Sequence, residues 1–393
     1  MSRRTVFLFD LDGVLVEPHG YRLSTKATLD YFTTRMGLCS LYPGEDGIAL
    51  LESISMTSEW DMVAVILAAI FDALQAQDPG LVLPGDLLAA CEAVRARGLH
   101  PPEIDYHRLT GILSPAFQPG RIYASLALEL CQPDSAEKPF PHLAGSLFLA
   151  NVLGHTRDLS AATTRIFQHF ALGSQAFTQS YQLPAEFEIP SYLQNYDRPL
   201  LDPILRERLL ERWRAGNIDL AIYTLRANSP RQPDGLPRLA FGREADLVIE
   251  PVGFQELPLI GYGEIGAAAF QIGRLPDELC KPSPVHALGA VLAALTREER
   301  RSILAAERLV RLGELDGVSD LSLDLEIQVF EDSPGSVNAV RQVGELLNRH
   351  GGNVRVHAWG IAANPAKIAA LREAGAKICP DVNQALLKAL EVE

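Results

Sequence analysis

Cysteine is scarce and unpatterned in this chain. Cys39, Cys91, Cys131, Cys280 and Cys379 are dispersed, odd in number and form no CxxC pair. That argues against a disulfide framework or a cysteine zinc site and suits reduced thiols in a cytoplasm. Positive charge is also in deficit: 35 Lys and Arg stand against 49 Asp and Glu, a net charge of -14. Such a balance disfavours nucleic acid or an anionic membrane as the main partner. The apolar run MVAVILAAIF at 62–71 has about half the ~20 residues needed to span a bilayer and reads as a buried helix. The amino-terminal run VFLF meets Asp10 too early to be a signal-peptide core. Strand signals are scarce from about 18 to 199, where helical patterns alternate with proline-rich loops such as HPPEID and KPFPH. No repeat or low-complexity tract is present. What remains is ordinary: 393 residues, 47% hydrophobic and 21% charged, enough core for about two domains.

The most informative stretch is VFLFDLDGVLV at 6–16. An apolar strand delivers Asp10 and Asp12 at i, i+2, followed by Gly13. Open α/β sheets bind ligands at the carboxyl ends of their strands, and two carboxylates there are too costly to bury without a cation, a proton or water.

Strand–helix alternation resumes near Asp202. In DPILRERLLERWRAG, Asp202 is placed as N-cap, Pro203 at the first helical position and Gly216 as the stop. Ile204, Leu205, Leu209, Leu210 and Trp213 form the expected apolar stripe. IDLAIYT reads as a strand ending at Thr224, and DLVIE at 246–250 as another. Ser283 and Pro284 open a helix, and TREE at 296–299 reads as a capping box for the next. EIQVFED is a strand ending in acids, and VRVHAWG and KICP are further strands. GSVNAVRQVGELLNRHG, NPAKIAALREAG (Asn364 as cap, Gly375 as stop) and DVNQALLKAL are helices. Strands separated by helices imply a parallel sheet covered on both faces. The expected architecture is therefore an α/β core of residues 1–17 plus 198–393, split after its first strand by a mainly helical insertion at 18–197.

Three strand ends carry polar groups: Asp10 and Asp12; Thr224, Arg226 and Asn228; and Glu331, Asp332 and Ser333. Lys281, in CKPSP, precedes a helix. If the strands are neighbours, Asp10, Glu331 and Asp332 crowd one cleft, and each like-charge pair repels by roughly 4 kcal/mol at about 4 Å. Raised pKa values are one relief. A divalent cation is the better one, since one lysine does not balance three acids, and an all-oxygen donor set favours Mg²⁺ over Zn²⁺. Such a site suits a phosphoryl group. Asp10 can attack phosphorus, Asp12 can protonate the leaving oxygen and later activate water, Thr224 can hold non-bridging oxygens, and Lys281 can balance charge. Arg226 either clamps a substrate phosphate or carboxylate or forms a loop ion pair. The blander alternatives are a cap or strand-end hydroxyl for Thr224 and a surface position for Lys281.

In order, DLDGV around Asp10, the strand-end Thr224, Lys281 in KPSP and EDSPGSVNAV at 331–340 resemble the four motifs of the haloacid dehalogenase (HAD) superfamily. The resemblance covers the first dozen or so residues and the stretch from Asp202 onward. It implies a Rossmann-like core with a helical cap after the first strand. It also implies Asp10 as nucleophile, Asp12 as general acid/base, Thr224 binding phosphate and Lys281 stabilising the phosphoryl enzyme. Asp10, the backbone carbonyl of Asp12, Glu331 and Asp332 would hold Mg²⁺. The paired Glu331-Asp332 is similar to the β-phosphoglucomutase-like form of the last motif, and Asp12 separates phosphatases and mutases from dehalogenases. The insertion is longer than the family's usual cap. The expected activity is a Mg²⁺-dependent phosphatase acting on a small phosphorylated metabolite. Its rivals are a phosphomutase of the same superfamily and a phosphate- or metabolite-binding protein without turnover.

Overall fold

The computed structural model describes residues 3–54, 56, 58–117, 121–230, 242–315, 317–318 and 323–391. The chain folds as two compact units. One joins the amino-terminal segment through His19 to the chain from Leu193 onward; the other is Gly20–Tyr192.

The first unit is built on a parallel sheet. Its strands, in chain order and together with a two-stranded ribbon, are β1 (Arg4–Phe9), β2 (Val16–Glu17), β3 (Arg198–Pro199), β4 (Asp219–Tyr223), β5 (Leu259–Ile260), β6 (Asp324–Glu331), β7 (Asn353–Ile361) and β8 (Lys377–Cys379). The six-stranded sheet runs β5-β4-β1-β6-β7-β8, all parallel, while β2 and β3 pair antiparallel. Counting only the sheet strands, that order is 3-2-1-4-5-6, the doubly wound order of Rossmann-like folds, whose ligand crevice lies at the switch between the first and fourth strands. Here that switch is the β1/β6 boundary, where the chain order turns back.

β1 is central, and Val6, Phe7, Leu8 and Phe9 are all fully buried, as a strand covered on both faces requires. Phe9 and Phe330 stack at 4.7 Å between centroids, Phe7 and Phe330 at 6.0 Å, and Trp359 continues the row. Burying each such ring contributes about 2–3 kcal/mol. The helix Pro284–Thr296 packs on β4 and β1, and Pro334–Arg349 on β6 and β7. These helices begin where the motif residues end.

Asp202 caps the helix Pro203–Arg214 by accepting from the backbone N–H of Ile204 and Leu205, and Gly216 follows in the left-handed region. Asn364 caps Pro365–Glu373 in the same way. Three local expectations are corrected. DLVIE lies inside a helix, Glu244–Val252, which buries Ala245, Leu247, Val248, Ile249 and Val252; packing overrides the β propensity of Val and Ile. Thr296 ends the preceding helix with its hydroxyl on the Leu292 carbonyl, so TREE forms no capping box, and the next helix starts at Glu299. Ile204 is 72% exposed and leaves the apolar stripe to Leu205, Leu209, Leu210 and Trp213.

The second unit is helical. Its core helix, Glu59–Gln77, buries every residue from Met62 to Phe71 and packs against Tyr123–Leu130, Leu147–Leu153 and Ala162–Tyr181. The last of these bends at Gly173 (φ 75°), where a Cβ would stand 2.4 Å from the backbone nitrogen of Ser191. His169 is buried between Phe177 and Phe187. No described helix is long and apolar enough to cross a membrane.

Candidate active site

The sheet register assembles the site. Phe9 pairs with Ile222 on one side and Phe330 on the other, so Asp10 emerges between the ends of β4 and β6. Its backbone N–H donates to the Phe330 carbonyl at 3.0 Å. The chain then turns sharply: Leu15 and Val16 N–H groups both return to the Leu11 carbonyl at 2.9 Å, and Gly13 N–H donates to the Val16 carbonyl at 2.8 Å. Gly13 sits at φ 74°, and a Cβ on it would stand 2.5 Å from Oδ2 of Asp332. Sign of φ and proximity therefore both require glycine there.

Asp10, Glu331 and Asp332 each offer a carboxylate oxygen, all within 4.8 Å of one another. Such a group could hold a metal ion, and its donors are hard oxygens without His or Cys, the set that suits Mg²⁺ or Ca²⁺ rather than Zn²⁺. Lys281 stands between two of them: its Nζ lies 2.8 Å from Oδ1 of Asp10 and 2.6 Å from Oε1 of Glu331, and 3.7 Å from the centroid of the Tyr223 ring. Lys367, in the first turn of Pro365–Glu373, pairs with Oδ2 of Asp332.

Asp12 faces a different cation. Arg226 Nε lies 2.9 Å from both carboxylate oxygens of Asp12, its Nη2 also pairs with Oδ1, and its Nη1 donates to Asp197 at 2.7 Å. The sequence offered Arg226 as a substrate clamp or a loop ion pair; in this structure it is committed to two carboxylates. Thr224 is buried, and its Oγ1 accepts the Arg226 backbone N–H at 3.1 Å. Asn228 accepts from Glu264 N–H and so ties the loop after β4 to the helix Tyr262–Gln271.

Burial pushes the Asp10 carboxyl well above the ordinary carboxylate range; Lys281 opposes this, and Glu331, Asp332 and Asp12 add to it. Burial likewise raises Asp332 against the pull of Lys367. For Lys281 burial favours the neutral amine, but Asp10 and Glu331 outweigh it and raise the pKa, so the ammonium persists.

The structure thus gathers Asp10, Lys281, Glu331 and Asp332 into one cluster, with Asp12 beside it on Arg226. Sequence reasoning missed Asp197, Lys367, Tyr223 and His286. Asp197 fell at the edge of the expected insertion, and Lys367 lies 35 residues beyond its partner on a helix that reads as ordinary solvated surface.

No protein-family model and no curated protein matches the chain. Among solved structures it resembles the X-ray structure of Northeast Structural Genomics Consortium target ZR25, at 14% identity and a TM-score of 0.64, over 99% of this chain and 98% of that one. A phosphatase, Tt82, from Thermococcus thioreducens aligns at 16% identity over 99% of this chain and 100% of its own, with a TM-score of 0.41. The first likeness is one of fold.

Proposed function

We propose that this chain is a HAD-type phosphatase that hydrolyses a small phosphorylated metabolite through an aspartyl phosphate on Asp10, with Mg²⁺ held by Asp10, Glu331 and Asp332 and, by resemblance, the backbone carbonyl of Asp12. The observation that carries the reading is the convergence of three carboxylates and Lys281 at the β1/β6 switch point. When bound, the ion supplies positive charge against the phosphate and the carboxylates together.

The chain's own residues perform the bond changes. An Asp10 carboxylate oxygen bonds to phosphorus as the ester P–O bond breaks, and Asp12 gives the leaving oxygen its proton. Asp12, then a carboxylate, takes a proton from water as that water attacks phosphorus and the Asp10–phosphorus bond breaks. In this structure both Asp12 oxygens are held by Arg226, so one of them must turn from the guanidinium toward the leaving oxygen for Asp12 to pass its proton. The Lys281 ammonium offsets charge on Asp10 and the phosphoryl group, and Thr224 and neighbouring backbone N–H groups receive non-bridging oxygens. Phosphate-monoester hydrolysis needs accelerations of up to ~10²¹-fold, so positioning and electrostatics must act together rather than one group alone.

The test is hydrolysis of p-nitrophenyl phosphate and of a phosphorylated-metabolite panel with Mg²⁺. Activity abolished by Asp10→Asn and by EDTA is the expected result. Full activity in either condition refutes the mechanism, an isomeric product in place of free phosphate marks a mutase, and ligand binding without turnover marks a binding protein.

A further inference from the structure

Lys281 is the cation on which the proposed chemistry depends, and its ammonium group must keep hydrogen-bond distance to two carboxylates, 2.8 Å to Asp10 and 2.6 Å to Glu331. Its side chain is long, so its backbone needs a fixed origin. That origin is a chain of three hydrogen bonds. The Thr224 backbone N–H donates to the Ile260 carbonyl at 2.9 Å. The same carbonyl lies 3.0 Å from Nε2 of His286, and Nδ1 of His286 accepts the Lys281 backbone N–H at 3.1 Å. An amide N–H only donates and a carbonyl only accepts, so the imidazole must carry its proton on Nε2. His286 is fully buried, in the first turn of Pro284–Thr296, and its ring meets Tyr223 edge-on at 5.7 Å. Tyr223 is the ring over which the Lys281 ammonium sits.

We infer that His286 is a positioning residue for Lys281, tying its backbone through the Ile260 carbonyl to that of Thr224 so that the two phosphate-contacting groups keep one spacing. The inference rests on the phosphatase reading above. A buried histidine kept only for packing would be replaceable by any apolar side chain of similar size. A positioning histidine requires an acceptor on one side and a donor on the other, which leucine lacks and a glutamine amide supplies.

The experiment compares wild type, Lys281→Ala, His286→Leu and His286→Gln with p-nitrophenyl phosphate and Mg²⁺ at pH 7.5, each rate corrected for the folded fraction from a circular-dichroism melt. His286→Leu should lose about 10- to 100-fold in kcat, the scale of an ångström-level misplacement, while remaining folded. His286→Gln should recover most of that loss. The ¹⁵N spectrum of the wild-type imidazole should show the Nε2–H tautomer alone. If wild type turns over and Lys281→Ala does not, yet His286→Leu matches wild type or His286→Gln is as slow as His286→Leu, the positioning role is overturned. An Nδ1–H tautomer overturns it independently of any rate. If wild type has no turnover, or Lys281→Ala keeps full activity, the phosphatase reading of the site fails and the positioning role falls with it.

Discussion

Removing Arg226 should cost this protein more stability than removing almost any other charge in the core unit. The Arg226 side chain is 1% exposed and that of Asp197 2% exposed, at 2.7 Å. With Arg226→Leu, Asp197 keeps its burial and loses its guanidinium partner. Breaking a buried pair from one side costs about 3–5 kcal/mol, because the remaining buried charge loses its ionic partner. Asp12, at 34% exposure, is partly screened and adds at most about 1 kcal/mol. The sum, about 4 kcal/mol, is a large share of the total stability of an ordinary domain. The double variant Arg226→Leu/Asp197→Leu removes both charges and should be restored toward wild type, leaving a coupling of about 1–3 kcal/mol. Urea titration followed by tryptophan fluorescence suits the measurement, since Trp213 and Trp359 are buried in this unit. A loss under about 1 kcal/mol for Arg226→Leu, or single effects that simply add, would refute the claim that the pair is a buried, mutually dependent one.

Gly13→Ala should lower the melting temperature and nearly abolish turnover, because αL costs a non-glycine residue about 1–2 kcal/mol and the added Cβ collides with Asp332; a thermal melt with a p-nitrophenyl phosphate assay checks both. Burial, assisted by Lys281, lowers the His286 pKa to about 3 against the usual 6.5. The folded form therefore resists the proton that the unfolded chain accepts, and stability present above pH 6.5 is lost as pH falls toward 3. The loss is about 2 kcal/mol at pH 5, and urea titrations at pH 7.5 and 5 should show His286→Gln with a smaller drop than wild type. Lys367→Met removes the ammonium that pairs with Asp332 and should tighten Mg²⁺ binding by about three- to tenfold; unchanged affinity by calorimetry would show that Lys367 does not compete for that carboxylate.

The catalytic candidates were legible because each motif is local: an apolar strand ending in acids, a strand ending in threonine, a lysine before a capped helix. Parallel strands separated by helices then dictate that all these ends share one sheet edge. The partners of those residues were not legible, because they depend on strand order. Lys367 reaches Asp332 only because β7 lies beside β6. His286 reaches Ile260 only because Pro284–Thr296 packs on β4 and β5. Asp197 carries no local pattern at all. DLVIE misled because a run of β-branched residues describes a buried surface without saying which period buries it.

Charge balance at the sheet edge alters the grounds for a metal. The sequence sets three acids against one lysine, and on that count a divalent cation is needed merely to relieve repulsion. The structure adds Lys367 on Asp332 and places Lys281 between Asp10 and Glu331, so each of the three carboxylates has an ammonium beside it. Arg226 gives Asp12 and Asp197 a third cation. The fold thus supplies counter-charges of its own, and a divalent cation is no longer an electrostatic necessity. What favours it is the donor set: three carboxylate oxygens gathered at a switch point within reach of one small ion. An ion entering there would exchange lysine contacts for metal contacts, so it would bind more weakly than to three bare carboxylates.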